Sequence, residues 1–583
     1  MREDAGARPA GRGPAWLVLA GVALLVATRL WHPIAGLGNS DIGGILYEAD
    51  IILDGGVPFR DTVDVKAPGT WFLFAAIFAA FGREIAAVQV VYAGWCLLAA
   101  PAVWLAARAL YGRASAWPAA AAVLLYLATV GVFDLNYSSW MATPYAWAFA
   151  GLIAAVRGGS ARLHALAGAC AALAVVFKAQ AVVLAPVFAL VWLWGRRRGE
   201  PGATWGAWAL WIAGAALGLA PLVLWYAWHG ALPAVLAGLF PVEAAREYGS
   251  QALHERWWGW RAWWIAWQQL WVFPVQVGLA AAALLGAWWR RREPGDPLAP
   301  QLVFYALSVV GCGLGGMRFY VHYLPQCLPA LALLAAHPRA WSALRVAWVH
   351  AGPDAGPRRW IARALALTLA ATALWQLVQV PRGRAARVDH RGNPGARAAG
   401  EYIRARTGPA DRVQVWGWAA WPVYFWADRR APSPVFKVLG QVTDYNQNGM
   451  FSRSLRTDFK PGPHADTLLA AMRATPPAYF VRSTPFFPGV REDPLLQFAA
   501  LREIVARDYV LRRRFGRTRV YELRARLGPE ELARALRFAA GDRALPRPID
   551  APPFRWLPGR DAARGDDEIE DDEGDAASSS SSE

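Results

Sequence analysis

The chain has 583 residues, of which 56% are hydrophobic and 33 are tryptophan, and its mean hydropathy is +0.22. This composition is that of a polytopic membrane protein. The net charge of +17 could indicate a nucleic-acid partner, but the arginines form short clusters between apolar runs, where membrane topology uses them. We therefore expect membrane lipids as partners and no nucleic acid.

The amino terminus and the cysteines say more about what kind of membrane protein this is. Residues 1–14 are basic, and the apolar run that follows lacks a small-residue cleavage site, which predicts a cytoplasmic N-terminus and an uncleaved membrane helix. The four cysteines all fall in apolar segments, which indicates buried thiols rather than a disulfide framework or a zinc site.

Long apolar runs predict a helical transmembrane domain over residues 15–381, with a first outer loop at 35–69. We expect about eleven spans, near 15–33, 85–107, 116–133, 141–156, 163–178, 180–195, 205–228, 263–289, 300–317, 320–336 and 360–380. The run Thr70–Phe81 is too short to span, and we expect a re-entrant or juxtamembrane helix there.

The arginine clusters support that count. With eleven spans and the amino terminus inside, every cluster, including Arg196–Arg198 and Arg290–Arg292, falls on the cytoplasmic side. Counting 70–81 as a span would reverse the membrane orientation of every later loop and place the arginine clusters outside. The pattern predicts a multi-pass protein of the bacterial inner membrane whose residues 382–560 lie outside the cytoplasm.

That outer portion alternates helices and short apolar strands, which predicts a small α/β soluble domain. The expected helices are Pro394–Arg406, Ala465–Arg473 and Leu495–Arg507, and the expected strands are Arg412–Trp416, Ala478–Val481 and a hairpin of Tyr509–Phe515 with Thr518–Leu523. Residues 561–583 are acidic and then polyserine, a composition that cannot bury a core and predicts disorder.

The first outer loop, Asn39–Gly69, is the most acidic stretch before the tail. Apolar residues at helical spacing predict an amphipathic helix lying along the membrane surface. Glu48, Asp50 and Asp54 would form its solvated face. A turn at Gly55-Gly56 and an extended arm to Lys66 follow, and Pro68 starts a new helix.

Two of the chain's four lysines, Lys66 and Lys178, fall on the predicted outer side, where the positive-inside rule does not call for them. A compact ammonium facing a phosphate would explain them. A side chain that extends to the membrane interface at a helix end is the plainer alternative.

Other polar residues lie on the same side. Asp41 follows Asn39-Ser40 at a helix start, and is either a helix cap or a general base for a hydroxyl. Asp134 and Asn136 form either a second acidic site or a helix cap with a polar turn. A divalent metal would need more oxygen ligands than these two supply, although Asp41 could complete a set, so we expect no required cofactor.

A further anion site is predicted where the tenth span begins. Arg318 and His322 are four residues apart and share a helix face. A guanidinium and an imidazole at a helix N-terminus suit an anion. Tyr320 beside them fits an interfacial aromatic belt as well as a substrate contact.

The first outer loop resembles a known family. The pattern Tyr47, Leu53-x-Gly55, Pro58-Phe59-x-Asp61 and Asp64-x-Lys66-x-Pro68, after an aspartate that follows the first membrane helix, is similar to the corresponding loop of GT-C membrane glycosyltransferases. These include protein O-mannosyltransferases, the lipid A aminoarabinose transferase and the lipopolysaccharide galacturonate transferases. The chain departs from many of them at Lys66-Ala67-Pro68-Gly69, where they have Lys-Pro-Pro. Glu401–Arg404 with Asp411–Trp418 resembles the outer domain of the bacterial branch.

The resemblance implies a transferase that moves a sugar from a polyprenyl-phosphate carrier to a hydroxyl of a lipid, glycan or protein, with inversion. Asp41 would be the general base. Lys66, Arg318, Lys178 and His322 would bind the donor phosphate. The residues expected to position substrate are Tyr47, Asp61, Asp64, Asp134, Asn136 and Tyr320.

A transporter or a lipid-carrier flippase is the alternative from another class. Such a protein would place charges at mid-membrane and break its helices in repeats. The charges here gather at one face, which favours chemistry at that face.

Overall fold

The computed structural model describes residues 37, 40–129, 135–239, 274–289, 298–314, 321–338, 394–444, 457–486 and 492–541, with a few isolated positions besides. The spans predicted near 15–33 and 360–380 fall outside its continuous segments, so the count of eleven stays a prediction.

The first part of the chain is helical. Its helices are α1 (Ser40–Leu53), α2 (Gly69–Phe81), α3 (Ile85–Leu97), α4 (Ala99–Tyr111), α5 (Arg113–Thr129), α6 (Tyr137–Gly158), α7 (Ala161–Phe177), α8 (Leu184–Arg197), α9 (Gly206–Trp228), α10 (Leu232–Leu239), α11 (Pro274–Trp289), α12 (Leu298–Gly313) and α13 (Leu328–Ala335). Short 3-10 helices at Ala179–Val183 and Val321–Cys327 lead into α8 and α13.

Three helical stretches within the described residues are long and apolar enough to cross a membrane, namely Ile85–Tyr111, Ala179–Arg197 and Gly206–Trp228. The rest of the protein covers little of the last stretch. Only 11% of its most apolar part is buried, as expected of a helix that faces lipid. The segment predicted to be too short to span, at 70–81, is the 13-residue helix α2.

Glycines set the closest helix contact in this part. A Cβ at Gly168 in α7 would overlap the backbone of Trp211, and one at Gly214 in α9 would overlap the backbone of Ala165. The backbones of α7 and α9 therefore touch, which is how small residues let apolar helices associate without a hydrophobic driving force.

The described residues of the C-terminal region, 394–541, form a four-stranded sheet and five α-helices. Its elements are α14 (Pro394–Arg404), β1 (Val413–Trp416), α15 (Pro422–Ala427), α16 (Pro463–Ala474), β2 (Tyr479–Ser483), α17 (Ala499–Asp508), β3 (Tyr509–Phe515), β4 (Thr518–Leu523) and α18 (Pro529–Gly541). Each lies within a few residues of an element predicted from the sequence, except α15 and α18, which were not predicted.

The sheet is mixed and its strand order is β1-β2-β4-β3. Strands β1 and β2 run parallel, with Val413 opposite Tyr479, whereas β2 with β4 and β3 with β4 are antiparallel. Residues of β1 and β2 are buried throughout, as expected for strands covered on both faces.

Helix α1 lies between the helices of the first part of the chain and the C-terminal region. Ile45 and Ala49 pack into the core that contains Trp71 and Phe74, while Tyr47 packs into the core of the C-terminal region. A helix lies where it was predicted, but the prediction that Glu48 and Asp50 belong to a solvated face was wrong. The C-terminal region covers the face that the sequence pattern assigned to water.

Candidate active site

Helix α1 positions the site through its first turn and its glycines. Asp41 lies in the first turn, where a carboxylate interacts favourably with the helix dipole. A Cβ at Gly43 would lie 2.5 Å from the backbone nitrogen of Pro422, and one at Gly44 would overlap the side chain of Lys437. The glycine pair lets α1 lie directly against the C-terminal region, with Asp41 beside that contact.

Two distant segments orient the Asp41 carboxylate. The indole Nε1 of Trp418, in the C-terminal region, donates to Oδ1 at 2.6 Å. The amide Nδ2 of Asn136, just before α6, donates to Oδ2 at 3.3 Å. Asp41 is partly exposed, whereas the rest of Ser40–Asp50 is buried. Its carboxylate is thus fixed in direction and can still be approached by a substrate.

The beginning of α6 joins this carboxylate to a cation. Asn136 caps the helix, because its side-chain oxygen accepts from the backbone nitrogen of Tyr137 at 2.7 Å, as the helix-cap alternative expected. Two residues on, the hydroxyl of Ser138 accepts a hydrogen bond from Nζ of Lys178. The positive end of the α6 dipole lies between Asp41 and Lys178.

Three of the predicted phosphate-binding residues come together here. Nζ of Lys178 lies 3.6 Å from the centre of the Tyr323 ring, and the His322 ring meets that of Tyr323 at 4.6 Å between centroids. The charges of Lys178 and Lys66 both act on His322. Two ammonium groups and an imidazole beside a helix N-terminus can hold an anion, and Asp41 can accept a proton next to it.

Comparison with solved structures identifies the fold. ArnT from Cupriavidus metallidurans in the apo state matches with a TM-score of 0.52 and 16% identity, over 88% of this chain and 99% of that chain. The same protein bound to undecaprenyl phosphate matches with a TM-score of 0.53 and 15% identity, over the same shares of 88% and 99%. The chain has the GT-C fold. The resemblance found in the first outer loop is thereby confirmed at the level of fold.

A third structure, an archaeal oligosaccharyltransferase from Archaeoglobus fulgidus, matches with a TM-score of 0.48 and 13% identity, over 85% of this chain and 72% of that chain. That score is too low to establish a shared fold. No family model and no curated protein matches the sequence.

Three of the predicted site residues lie outside the described part of the chain, namely Asp134, Arg318 and Tyr320. Among the residues that are described, no group of three or more His, Cys, Asp and Glu side chains could hold a metal ion.

The contacts of Tyr47 differ from the predicted role in positioning substrate. Its ring stacks on that of Phe436 at 4.1 Å between centroids, and its hydroxyl accepts from the backbone nitrogen of Ala431 at 3.0 Å. The side chain is 2% exposed, so no substrate reaches it in this structure. Tyr47 fastens α1 to the C-terminal region.

Asp61 was predicted to position substrate and to flank Lys66, but it closes its own turn. Its carboxylate accepts from the backbone nitrogen of Val57 at 2.7 Å and from Arg60 at 2.8 Å. The hydrogen bond from Arg60 holds the pKa of Asp61 below its usual value. The turn places Phe59, whose positive φ of 68° is unusual for a residue other than glycine, against Trp71.

The acidic residues later on α1 correct a second prediction. Glu48 and Asp50 are 0% and 2% exposed rather than solvated. Arg83 donates to both oxygens of Asp50, at 2.7 and 2.5 Å, and Arg430 bonds to Asp54 at 2.7 Å. Asp54 alone keeps the predicted exposure.

Two contacts of the predicted site residues were missed by the sequence reasoning. Trp418, which bonds to Asp41, and Lys437, which forms a buried ion pair with Asp64, both come from the C-terminal region. The rarity of lysine was a signal for Lys437, which is one of only four in the chain. Trp418 ends the string Asp411–Trp418 that resembles the outer domain of the bacterial branch, but nothing in that string indicates a contact with Asp41, a residue 377 positions away.

Proposed function

We propose that this protein is a membrane glycosyltransferase that moves a sugar from a polyprenyl-phosphate carrier to a hydroxyl group of a lipid, glycan or protein. The observation that carries the proposal is the position of the Asp41 carboxylate at the N-terminus of α6, beside Lys178, His322 and Lys66. One group that can take a proton thus lies next to a cluster that can hold a phosphate. The fold shared with ArnT, one structure of which contains undecaprenyl phosphate, supports this assignment.

The reaction would proceed by direct displacement. Asp41 accepts the proton of the acceptor hydroxyl, and the oxygen attacks the anomeric carbon as the bond from that carbon to the phosphate oxygen breaks. The configuration inverts, and the lipid phosphate leaves with the bonding electron pair. Lys66, Lys178, His322 and Arg318 stabilise the negative charge that grows on the phosphate. No step requires a metal or a cofactor.

Asp41 suits the role of base for a structural reason. Trp418 and Asn136 hold its two oxygens from opposite segments, so the carboxylate is oriented before the acceptor arrives. Orientation of this kind raises the rate because little rearrangement is left for the reaction itself.

The acceptor side is tested most directly in the cell. We expect mass spectrometry of envelope lipids and glycans from a deletion strain to show one component that lacks a sugar. Wild-type protein should restore that sugar, and Asp41→Asn should not. The proposal fails if no component changes, or if Asp41→Asn restores the sugar as well as wild type does.

We also infer that the site faces the outer side of a bacterial inner membrane. Single cysteines introduced at Arg197, at Gly56 and at an exposed position within residues 394–541, each in a background without the four native cysteines, test this. An impermeant thiol reagent added to intact cells or spheroplasts should label position 56 and residues 394–541 but not position 197. Labelling at position 197 would overturn the orientation.

A further inference from the structure

The segment that carries Lys66 is held by the C-terminal region. The backbone nitrogen of Val63 donates to the carbonyl of Pro434 at 3.0 Å. One residue on, the Asp64 carboxylate forms an ion pair with Nζ of Lys437, and both side chains are buried, at 4% and 7% exposed. Lys66 follows two residues later, so these two contacts fix the chain just before the predicted phosphate-binding lysine.

A second carboxylate faces the same pair. Glu48 on α1 is fully buried, and its Oε2 accepts from the hydroxyl of Thr62 at 2.8 Å. Within the described part of the chain, its Oε1 has no hydrogen-bond partner. Two buried carboxylates therefore meet one buried ammonium, and the charges balance only if one carboxylate carries a proton.

The surroundings of Glu48 favour its protonated form. Burial, and then the nearby charge of Asp64, raises the pKa of Glu48 to about 8, while Lys437 opposes this rise. Three tyrosines among the described residues, Tyr47, Tyr137 and Tyr226, also interact with Glu48, and they are neutral near pH 8.

Gly44 shows that the path of Lys437 is built into α1. A Cβ at this position would overlap Cε and Nζ of Lys437. Glycine inside a helix is less favourable than alanine, because its backbone loses more conformational freedom on folding. The lysine reaches Asp64 across the surface of α1 only because position 44 has no side chain.

We infer that Lys437 is a positioning residue of the active site, which closes a buried triad with Asp64 and Glu48 and thereby fixes Lys66. This inference rests on the proposed function and deepens it, because it makes the C-terminal region a working part of donor binding. The site is then complete only when that region is seated on α1.

The chain's few lysines allow a test that does not depend on activity. Acetylation of the purified protein with a small amine reagent, followed by peptide mass spectrometry, reports on Lys66, Lys178 and Lys460 separately. We expect Lys437→Met to raise the acetylation rate of Lys66 severalfold and to leave that of Lys460 unchanged. Lys437→Arg, which keeps the cation, should leave Lys66 closer to its wild-type rate than Lys437→Met does.

Two further variants guard against simple misfolding. Lys437→Met with Asp64→Asn removes both charges and so avoids an unpaired buried carboxylate, and it should show the same faster labelling of Lys66. Gly44→Ala displaces Lys437 without removing its charge and should act in the same direction. Equal labelling of Lys66 in all these variants and the wild type would overturn the inference.

Kinetics then separate the inference from the proposed function. With a polyprenyl-phosphate-linked sugar as donor, Lys437→Met should raise the donor KM by about tenfold and change kcat less, as expected when a binding contact is displaced. If the donor KM of that variant equals that of the wild type, the inference about the triad is contradicted and the proposed function is not. Absence of transfer by the wild type would contradict the proposed function, and the labelling of Lys66 would still decide the triad.

The pH profile gives a readout that a purely structural role would not move. Below about pH 8 Glu48 keeps its proton and the triad is balanced, whereas above it a second buried negative charge appears. Donor binding, a property of the folded protein, is therefore expected to fall as pH rises through about 8. The free energy of unfolding is expected to fall earlier, between about pH 4.5, where Glu48 ionises in the unfolded chain, and about pH 8. Glu48→Gln, which cannot ionise, should remove that alkaline fall, and an unchanged fall in this variant would contradict the assignment of the proton to Glu48.

Discussion

The two ends of α1 carry aspartates that look alike in the sequence and have different surroundings in the structure. At the first turn, the neutral side chains of Trp418 and Asn136 donate to Asp41. At the other end, the guanidinium of Arg83 donates two hydrogen bonds to Asp50, and that of Arg430 donates one to Asp54.

Under the proposed function, this difference is the one expected between a residue that reacts and residues that hold the fold together. Arginine pairs at Asp50 and Asp54 join α1 to α2 and to the C-terminal region, because Arg83 directly follows α2 and Arg430 follows α15. The donors at Asp41 orient its oxygens beside the lysines and the N-terminus of α6. Substitutions at the two ends should therefore change different properties.

The largest effect is expected for Asp41→Asn. Asparagine keeps the shape and an acceptor oxygen for Trp418, but it cannot take a proton at neutral pH. We expect the turnover number in a transfer assay to fall by about 10²–10⁴, with folding preserved. Asp54→Asn is the matched control at the exposed end, and its turnover should stay within about twofold of wild type, since exposed ion pairs contribute little. Comparable loss in both variants would remove the distinction between the two ends.

Asp50→Asn should change stability instead of chemistry. It leaves Arg83, whose side chain is 27% exposed, without its buried anionic partner. Breaking a buried pair destabilises by about 3–5 kcal/mol, and the partial exposure of Arg83 places the expected loss at the lower end or below. Thermal unfolding in detergent should show a lower midpoint, while the remaining folded enzyme keeps its turnover number. A stable variant with slow turnover would mean that Asp50 belongs to the reaction.

Trp418→Phe should give a smaller and more specific effect. It removes the indole N–H that donates to Asp41 and keeps an aromatic ring in place. A hydrogen bond to a charged group contributes about 1.5–3 kcal/mol, so we expect kcat to fall by at least about tenfold with little change in the donor KM. An equal rise in KM with unchanged kcat would show that Trp418 contacts the donor instead.

The comparison also shows how far the sequence could go. Hydrophobic runs and turn residues were enough to locate most helices and the strands of the sheet, because these depend on local periodicity. The same periodicity misassigned α1, since Glu48 and Asp50 are buried by a region that begins more than 340 residues later. A buried carboxylate paired across such a distance has the same local pattern as a solvated one.

Only part of the site could be predicted, because local patterns do not show contacts between distant residues. Lys66 and Lys178 could be singled out because a positive charge on the predicted outer side needs an explanation, and the structure brings both near His322. The partners of those residues could not be predicted. Nothing local in the sequence links Ser138, Trp418 and Lys437 to those residues, because the contacts between them form only on folding.

The central claim is that Asp41 performs the chemistry while Lys66 and Lys178 hold the donor phosphate. Its most direct test is the affinity of undecaprenyl phosphate for the purified wild type, Asp41→Asn, Lys66→Met, Lys178→Met and the double lysine variant. We predict near wild-type affinity for Asp41→Asn and a loss of about 1–3 kcal/mol in each lysine variant, with a less than additive loss in the double variant. Arg318→Met should weaken binding in the same way. Unchanged affinity in all the lysine variants, or a loss confined to Asp41→Asn, would contradict this account.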